Sequence, residues 1–301
     1  MGDHGRVTII SEERAPAPYT YENTSRTRRA GGLVLHFHEA GPADPGAPVL
    51  VMLHGGGPGA TAWSAFGASL AAFAPRFRAL LVDQPGFGRS DKPELDKDFF
   101  AFSADAVAAL LGELGIAEAH FAGASLGGGV CVRMALDHPG LVDRLVLTAP
   151  AGLALNLFTA EPTEGVKRLL DVTLAPEPTR AHVRGFLTSL VHDPALVTDE
   201  LVEERYARAA DPGARLGARR IGAAFGKWPE AGMLWREAHR VTAPTLLTWG
   251  REDRVNPVDG AFVALKAMPD ARLHVFPRCG HLAYEERAAE FQRLALDFLG
   301  G

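Results

Sequence analysis

Cysteine is nearly missing from this chain: there are two among 301 residues, Cys131 and Cys279. So few thiols cannot form a disulfide framework, and a reducing cytoplasm is the expected compartment. Neither sits in a CxxC pair or at metal-ligand His/Cys spacing, so both are expected to be packing residues. No run of 18 apolar residues occurs, so no segment is expected to span a membrane. The opening stretch, MGDHGRVTIISEERAPAPYTYENTSR, lacks the basic start and apolar centre of a signal peptide, and residues 1–20 read as a loosely held leader. Long Lys/Arg runs are missing too. Arg219-Arg220 is too short to count, and with a net charge of -5 nucleic acid is not an expected partner. There is no internal repeat and no low-complexity tract.

What is present is an ordinary globular composition, 47% hydrophobic and 22% charged, in a chain long enough for one large domain with an insertion. TSRTRRAGGLVLHFHEAG reads as two strands joined by Gly31-Gly32. Buried strands follow in PVLVMLHG, RALLVDQPG, HFAGAS and DRLVLTAP. They alternate with helical patterns in ATAWSAFGASLAAFA (Trp63, Phe66, Leu70 and Phe73 at helical spacing), FSADAVAALLGELG and LGGGVCVRMALDHPG. That order predicts an α/β fold with a mostly parallel sheet flanked by helices. The alternation stops near Ala151, and residues 152–240 read as helices punctuated by prolines. Strands return in PTLLTWG and ARLHVFP, and a helix closes the chain. The expected organisation is a core of residues 21–151 and 241–301, interrupted by a helical lid over 152–240.

One hydroxyl stands out. Gly123-Ala124-Ser125-Leu126-Gly127 has the form G-x-S-x-G between an expected strand and an expected helix. Small flanking residues permit a sharp turn that exposes a serine oxygen at the end of the sheet. The following N–H groups open a helix, where partial positive charge favours an anion. Serine is a poor nucleophile without a base. In this architecture the acid and the histidine should follow, in that order, after later strands. Glu252 and Asp253 in WGREDRVNP are the candidate acids. Asp253 is favoured, leaving Glu252 as a solvated loop charge. His281 in RCGHLAYEE is the candidate base, whereas His274 lies inside a strand and reads as packing. His281 would take the proton of Ser125 and return it to the leaving group, with Asp253 fixing its tautomer. HGGGP, just after an early strand, supplies a second oxyanion donor. The two donors are assigned to the backbone N–H groups of Gly56 and Leu126, with Gly55 beside them as a substrate-binding residue. DQPGFGRSD lacks G-x-x-x-x-G-K-[ST] and reads as a structural turn rather than a phosphate cradle.

Together these stretches resemble the α/β-hydrolase superfamily, which implies the α/β-hydrolase fold. HGGGPGA, DQPGFGRSDK, NLFTAEPTEGVKRL, WGREDRVNP and RLHVFPRCGH further resemble the meta-cleavage product hydrolases, in particular the branch acting on diseco-steroid dienoates in bacterial sterol degradation. The resemblance runs from Tyr21 to the C-terminus. It implies hydrolysis of a C–C bond in a vinylogous diketone formed by aromatic-ring opening, with Ser125, Asp253 and His281 as the triad. It also implies that Arg205, in LVEERY, meets the substrate's enol oxygen and carboxylate side. By its residues alone Arg205 is a solvated helix charge. Three substrate-binding positions depart from the family. Ala124 and Ala65 stand where the family carries Asn, and Leu282 where it carries Trp. Losing two amides removes hydrogen-bonding sites from the polar end of the pocket.

Three readings stay open. One is the C–C hydrolase, one an ester, lactone or thioester hydrolase acting as a biosynthetic tailoring enzyme, and one a binding protein using the same pocket. The expected ligand is a small apolar molecule with a carbonyl or carboxylate end. No cofactor and no metal is expected, and a homodimer or higher homo-oligomer is left open.

Overall fold

The computed structural model describes residues 19–44, 46–153 and 161–300. Most of the expected leader, and part of the stretch NLFTAEPTEGVKRL, lie outside the described residues. Thr20 already belongs to the fold. Its hydroxyl accepts the Asn23 N–H at 3.2 Å and caps a single helical turn, Tyr21–Thr24.

Eight strands form one sheet in the order β1-β2-β4-β3-β5-β6-β7-β8. They are β1 (Ser25–Ala30), β2 (Leu33–Ala40), β3 (Val49–Leu53), β4 (Arg78–Val82), β5 (Ala119–Ala124), β6 (Val142–Thr148), β7 (Thr245–Gly250) and β8 (Ala271–Phe276). β1 and β2 pair antiparallel through Gly31 and Gly32, both at positive φ (55° and 81°). A two-residue hairpin turn of that hand suits glycine. β2 joins β4 antiparallel, and β3 to β8 run parallel.

Alternation along the parallel strands feeds two cores. Val51, Leu53, Leu80, Val82 and Phe121 pack on one face with α1 (Phe99–Glu113) and α2 (Leu126–Asp137). Leu50, Met52, Leu81, Ala122 and Val146 pack on the other with Phe66, Phe73, Phe291 and Phe298. Both faces are covered, as a parallel sheet requires. The helix expected across ATAWSAFGASLAAFA is broken. Ala62–Phe66 and Leu70–Phe73 are separate turns joined by a 3₁₀ turn at Gly67–Ser69. A Cβ on Gly67 would sit 2.8 Å from the Trp63 ring, so the indole occupies the space a side chain would need there.

Among the described residues the insertion holds four α-helices: α3 (Glu164–Thr173), α4 (Arg180–Leu190), α5 (Asp199–Ala210) and α6 (Pro212–Lys227). α3, α4 and α5 open on Thr163, Thr179 and Thr198, whose hydroxyls accept N–H groups of the first turn; α6 opens on Asp211 with Pro212 as its first residue. Val172, Val183, Phe186, Leu187 and Val202 form a core of their own. Behind the insertion, α7 (Ala261–Ala267) and α8 (Ala288–Gly300) complete the layers. No described helix is long and apolar enough to cross a membrane.

Candidate active site

Four parallel strands, β3, β5, β7 and β8, end next to the expected functional residues, as ligand sites in open α/β sheets do. β5 stops at Ala124 and α2 starts at Leu126, so the whole reversal falls on Ser125, at φ 49° and ψ -115°. A non-glycine residue there carries strain of about 1–3 kcal/mol. It is held by three backbone bonds: Ser125 N–H to the Thr148 carbonyl at 2.8 Å, and the Gly129 and Ala151 N–H groups to the Ser125 carbonyl at 3.1 and 2.8 Å. The Ser125 hydroxyl does not cap α2 and so is not consumed by the helix. The glycines are steric requirements. A Cβ on Gly123 would lie 2.6 Å from Cys131 Sγ, and one on Gly127 2.2 Å from the Leu53 carbonyl oxygen.

Asp253 and His281 follow β7 and β8 and are buried, 6% and 5% exposed. His281 Nδ1 lies 2.8 Å from Asp253 Oδ2. The other carboxylate oxygen accepts the Val255 and Asn256 N–H groups at 2.7 and 3.0 Å. With both oxygens committed, the carboxylate orients the ring so that Nε2 remains the free basic nitrogen. The His281 N–H donates to the Leu190 carbonyl at 2.7 Å, which ties this loop to α4. Glu252 is not the solvated charge expected. It accepts the Cys279 N–H at 2.9 Å and braces the histidine loop. Both cysteines are buried free thiols, and burial pushes Cys279 up to about 12.

After β3 the chain runs into His54-Gly55-Gly56-Gly57. A Cβ on Gly55 would stand 3.4 Å from Ser125 Cβ, and one on Gly56 3.2 Å from Leu126 Cδ2. The two residues expected to supply oxyanion donors are therefore neighbours. His54 locks the loop. The Gln84 N–H donates to its Nε2 at 3.2 Å, which leaves Nδ1–H to donate to the Gly55 carbonyl at 2.7 Å. Burial holds its pKa below the usual range, so the ring stays neutral.

A second Ser–His–Asp chain provides a contrast. Ser25 Oγ lies 2.8 Å from His36 Nε2, and His36 Nδ1 lies 2.8 Å from Asp83 Oδ2. Ser25, however, has ordinary extended backbone (φ -63°, ψ 129°) at the start of a strand, with no helix N-terminus beside it. Asp83 also accepts the Ala62 and Arg89 N–H groups. This chain ties the hairpin to the DQPGFG loop. What sets Ser125 apart is the strained bend and the neighbouring N–H donors.

The α/β-hydrolase fold family matches residues 48–288. The chain is 39% identical over 269 residues to the 2-hydroxy-6-oxononadienedioate/2-hydroxy-6-oxononatrienedioate hydrolase of Comamonas testosteroni, spanning 88% of this chain and 91% of that one. It is 38% identical over 271 residues, with the same coverage, to the 2-hydroxy-6-oxo-6-phenylhexa-2,4-dienoate hydrolase of Burkholderia cepacia. The chain is an α/β-hydrolase of the meta-cleavage product group. Solved relatives agree. A meta-cleavage product hydrolase from Pseudomonas fluorescens superposes with a TM-score of 0.80 at 29% identity, covering 91% of this chain and 97% of its own. A 2-hydroxy-6-oxo-6-phenylhexa-2,4-dienoate hydrolase from a Rhodococcus strain superposes with 0.83 at 26% identity, covering 92% and 98%. These names carry aryl and dioate side chains and no steroid.

In this hydrolase Ala124 belongs to the core on one face of the sheet, and Ala65 and Leu282 pack against that same core. Leu282 also packs against the core of the insertion. Arg205 sits on α5, with its Nε buried and without a hydrogen-bond partner among the described residues. It is close enough to act electrostatically on His54, Tyr284 and Glu285. Glu285 went unnoticed in the sequence. Its side chain is exposed. Partial desolvation by the protein packed around its carboxyl pushes its pKa up to about 7 against the opposing pull of Arg205. The only signal was a second acidic residue four positions after His281. Among the described residues, no cluster of three or more His, Cys, Asp or Glu side chains is disposed to hold a metal.

Proposed function

We propose that this enzyme hydrolyses the C–C bond beside the ketone of a 2-hydroxy-6-oxo-dienoate, with Ser125 as nucleophile, His281 as base and Asp253 as its orienting acid. The observation that carries the reading is the strained Ser125 between β5 and α2, on a scaffold whose acid and base loops hold Asp253 and His281 2.8 Å apart. The names of the relatives supply the substrate class. The ester, lactone or thioester reading draws no support from those two.

The dienol first gives up its hydroxyl proton and takes up a proton on carbon, becoming a ketone, so that the bond to be broken has an electron sink. Arg205, cationic and short of acceptors, is suited to hold the carboxylate and enol oxygen during that shift. Ser125 Oγ then adds to the 6-oxo carbon as its proton passes to His281 Nε2. The oxyanion falls to the Gly56 and Leu126 N–H groups. As it collapses, the C–C bond breaks and its electron pair leaves on the dienoate fragment, which takes the proton from His281. Water, deprotonated by His281, hydrolyses the acyl-serine and releases a carboxylic acid.

The insertion acts as the lid. Supporting contacts are Phe186 against Gly57, Arg205 and Arg208 against Gly59, and the Leu190 carbonyl on the His281 N–H. A cytoplasmic location fits the two buried free cysteines. The test is absorbance on a 6-phenyl or aliphatic dioate dienoate: the dienol band should bleach as a carboxylic acid is released.

A further inference from the structure

Between the insertion and the strand-end loops lies a cavity of about 580 Å³. Ser125, Asp253 and His281 do not line it. Its walls come from Gly57-Pro58-Gly59, which continues the oxyanion loop, from the turn at Gly86–Arg89, from the segment Val172–Pro178, and from α5 and α6. The DQPGFG turn, structural in its backbone bonding, thus also shapes a chamber.

The charges in this chamber are unbalanced. Four arginines line it, Arg89, Arg208, Arg215 and Arg219, against two carboxylates, Asp83 and Asp211. Both carboxylates are already engaged. Asp83 accepts from Ala62, His36 and Arg89 N–H groups, and Asp211 caps α6 through the Ala214 N–H at 2.8 Å. The cations are only partly engaged. The side chains of Arg89 and Arg219 make no hydrogen bond or ion pair among the described residues. Arg208 spends Nη2 on Glu204 at 2.8 Å, while its Nη1 is buried without a partner. Arg215 donates to the Pro176 carbonyl. A buried donor left unpaired is costly, and a guanidinium matches a carboxylate through paired donors. Apolar surface lies within reach. Leu174, on the same wall, is left 75% exposed, the most exposed large hydrophobic among the described residues.

We propose that this chamber is a second ligand site, separate from the catalytic serine, for an anion with an apolar body such as an aryl or alicyclic carboxylate. The guanidinium groups of Arg89, Arg208 and Arg219 take the anion, and Leu174 with its neighbours covers the body. An occupant would touch both the loop that continues from Gly56 and the helix that carries Arg205.

The test uses the full chain and two fluorescent probes, the anionic 8-anilinonaphthalene-1-sulfonate and the neutral N-phenyl-1-naphthylamine. Arg89→Gln with Arg219→Gln should weaken the anionic probe at least about tenfold, as expected for losing charge-assisted hydrogen bonds. The same substitutions should leave the neutral probe unchanged. Arg89→Lys with Arg219→Lys, which keeps the charge, should restore part of the affinity. Ala218→Trp, placing an indole on the cavity wall, should remove binding of both probes. Equal affinity of the anionic probe for the native and double-Gln proteins overturns the proposal. So does an equal loss for both probes in the double-Gln protein, since that reports structural damage rather than recognition of charge.

Discussion

Asp253→Asn isolates what the carboxylate contributes beyond its shape. In the native site one oxygen accepts two backbone N–H groups, at 2.7 and 3.0 Å, and the other faces His281 Nδ1 at 2.8 Å. An asparagine must turn its oxygen to the two N–H donors, because a buried amide NH₂ cannot face them. Its NH₂ then points at Nδ1, which becomes an acceptor, and the ring proton moves to Nε2. That nitrogen can no longer take a proton from Ser125. The packing is nearly unchanged, so the fold should hold while kcat falls by about 10⁴, equivalent to roughly 5 kcal/mol of transition-state stabilisation. The assay is single-turnover kinetics beside a thermal melt. A loss below about tenfold with an unchanged melting temperature would refute the assigned role of Asp253.

Gly127→Ala would drive a Cβ to 2.2 Å from the Leu53 carbonyl oxygen, a backbone atom that cannot yield cheaply. Overpacking of this kind costs about 1–3 kcal/mol, so calorimetry should find a melting temperature several degrees lower, and a native-like melt would contradict the steric reading. Burial opposes ionisation of Asp83, but hydrogen bonds from His36, Ala62 and Arg89 outweigh it and hold its pKa at about 2, below its ordinary 3.8. The stability this confers, on the order of 2 kcal/mol, is complete above pH 4 and lost as pH falls from about 4 to 2; urea unfolding should find that acid slope missing in Asp83→Asn, which is weaker at pH 7. Glu285 has the opposite sign: its folded pKa is raised to about 7, so its contribution is favourable at low pH and is lost as pH rises through about 7. Glu285→Gln should therefore melt higher than the native protein at pH 8 and no higher at pH 4, and a pH-independent difference would contradict the raised pKa.

The legible parts of this molecule are those in which a backbone constraint selects a residue type. Gly31-Gly32 marks a hairpin because both positions need positive φ. The glycines around Ser125 mark the bend because any side chain there would strike Leu53, Cys131 or the neighbouring backbone. Apolar runs bounded by glycine and proline reveal the parallel strands for the same local reason. What stayed hidden depends on partners distant in sequence. Glu252 resembles a loop charge until β8 brings the Cys279 N–H to it. The helix expected through Gly67 breaks because the Trp63 ring takes that space. Glu285, the Ser25–His36–Asp83 tie and the arginine-lined chamber arise from packing between segments, and no local spacing announces them.

The most direct measurement is stopped-flow absorbance on a 2-hydroxy-6-oxo-dienoate, run with native protein and with Ser125→Ala. C–C cleavage through Ser125 predicts that native protein bleaches the dienol band and releases a carboxylic acid in step. Ser125→Ala should still bind the dienoate and shift its band but release no acid. Rapid release of acid by Ser125→Ala, or an unchanged band with native protein that hydrolyses nitrophenyl esters rapidly, would contradict it.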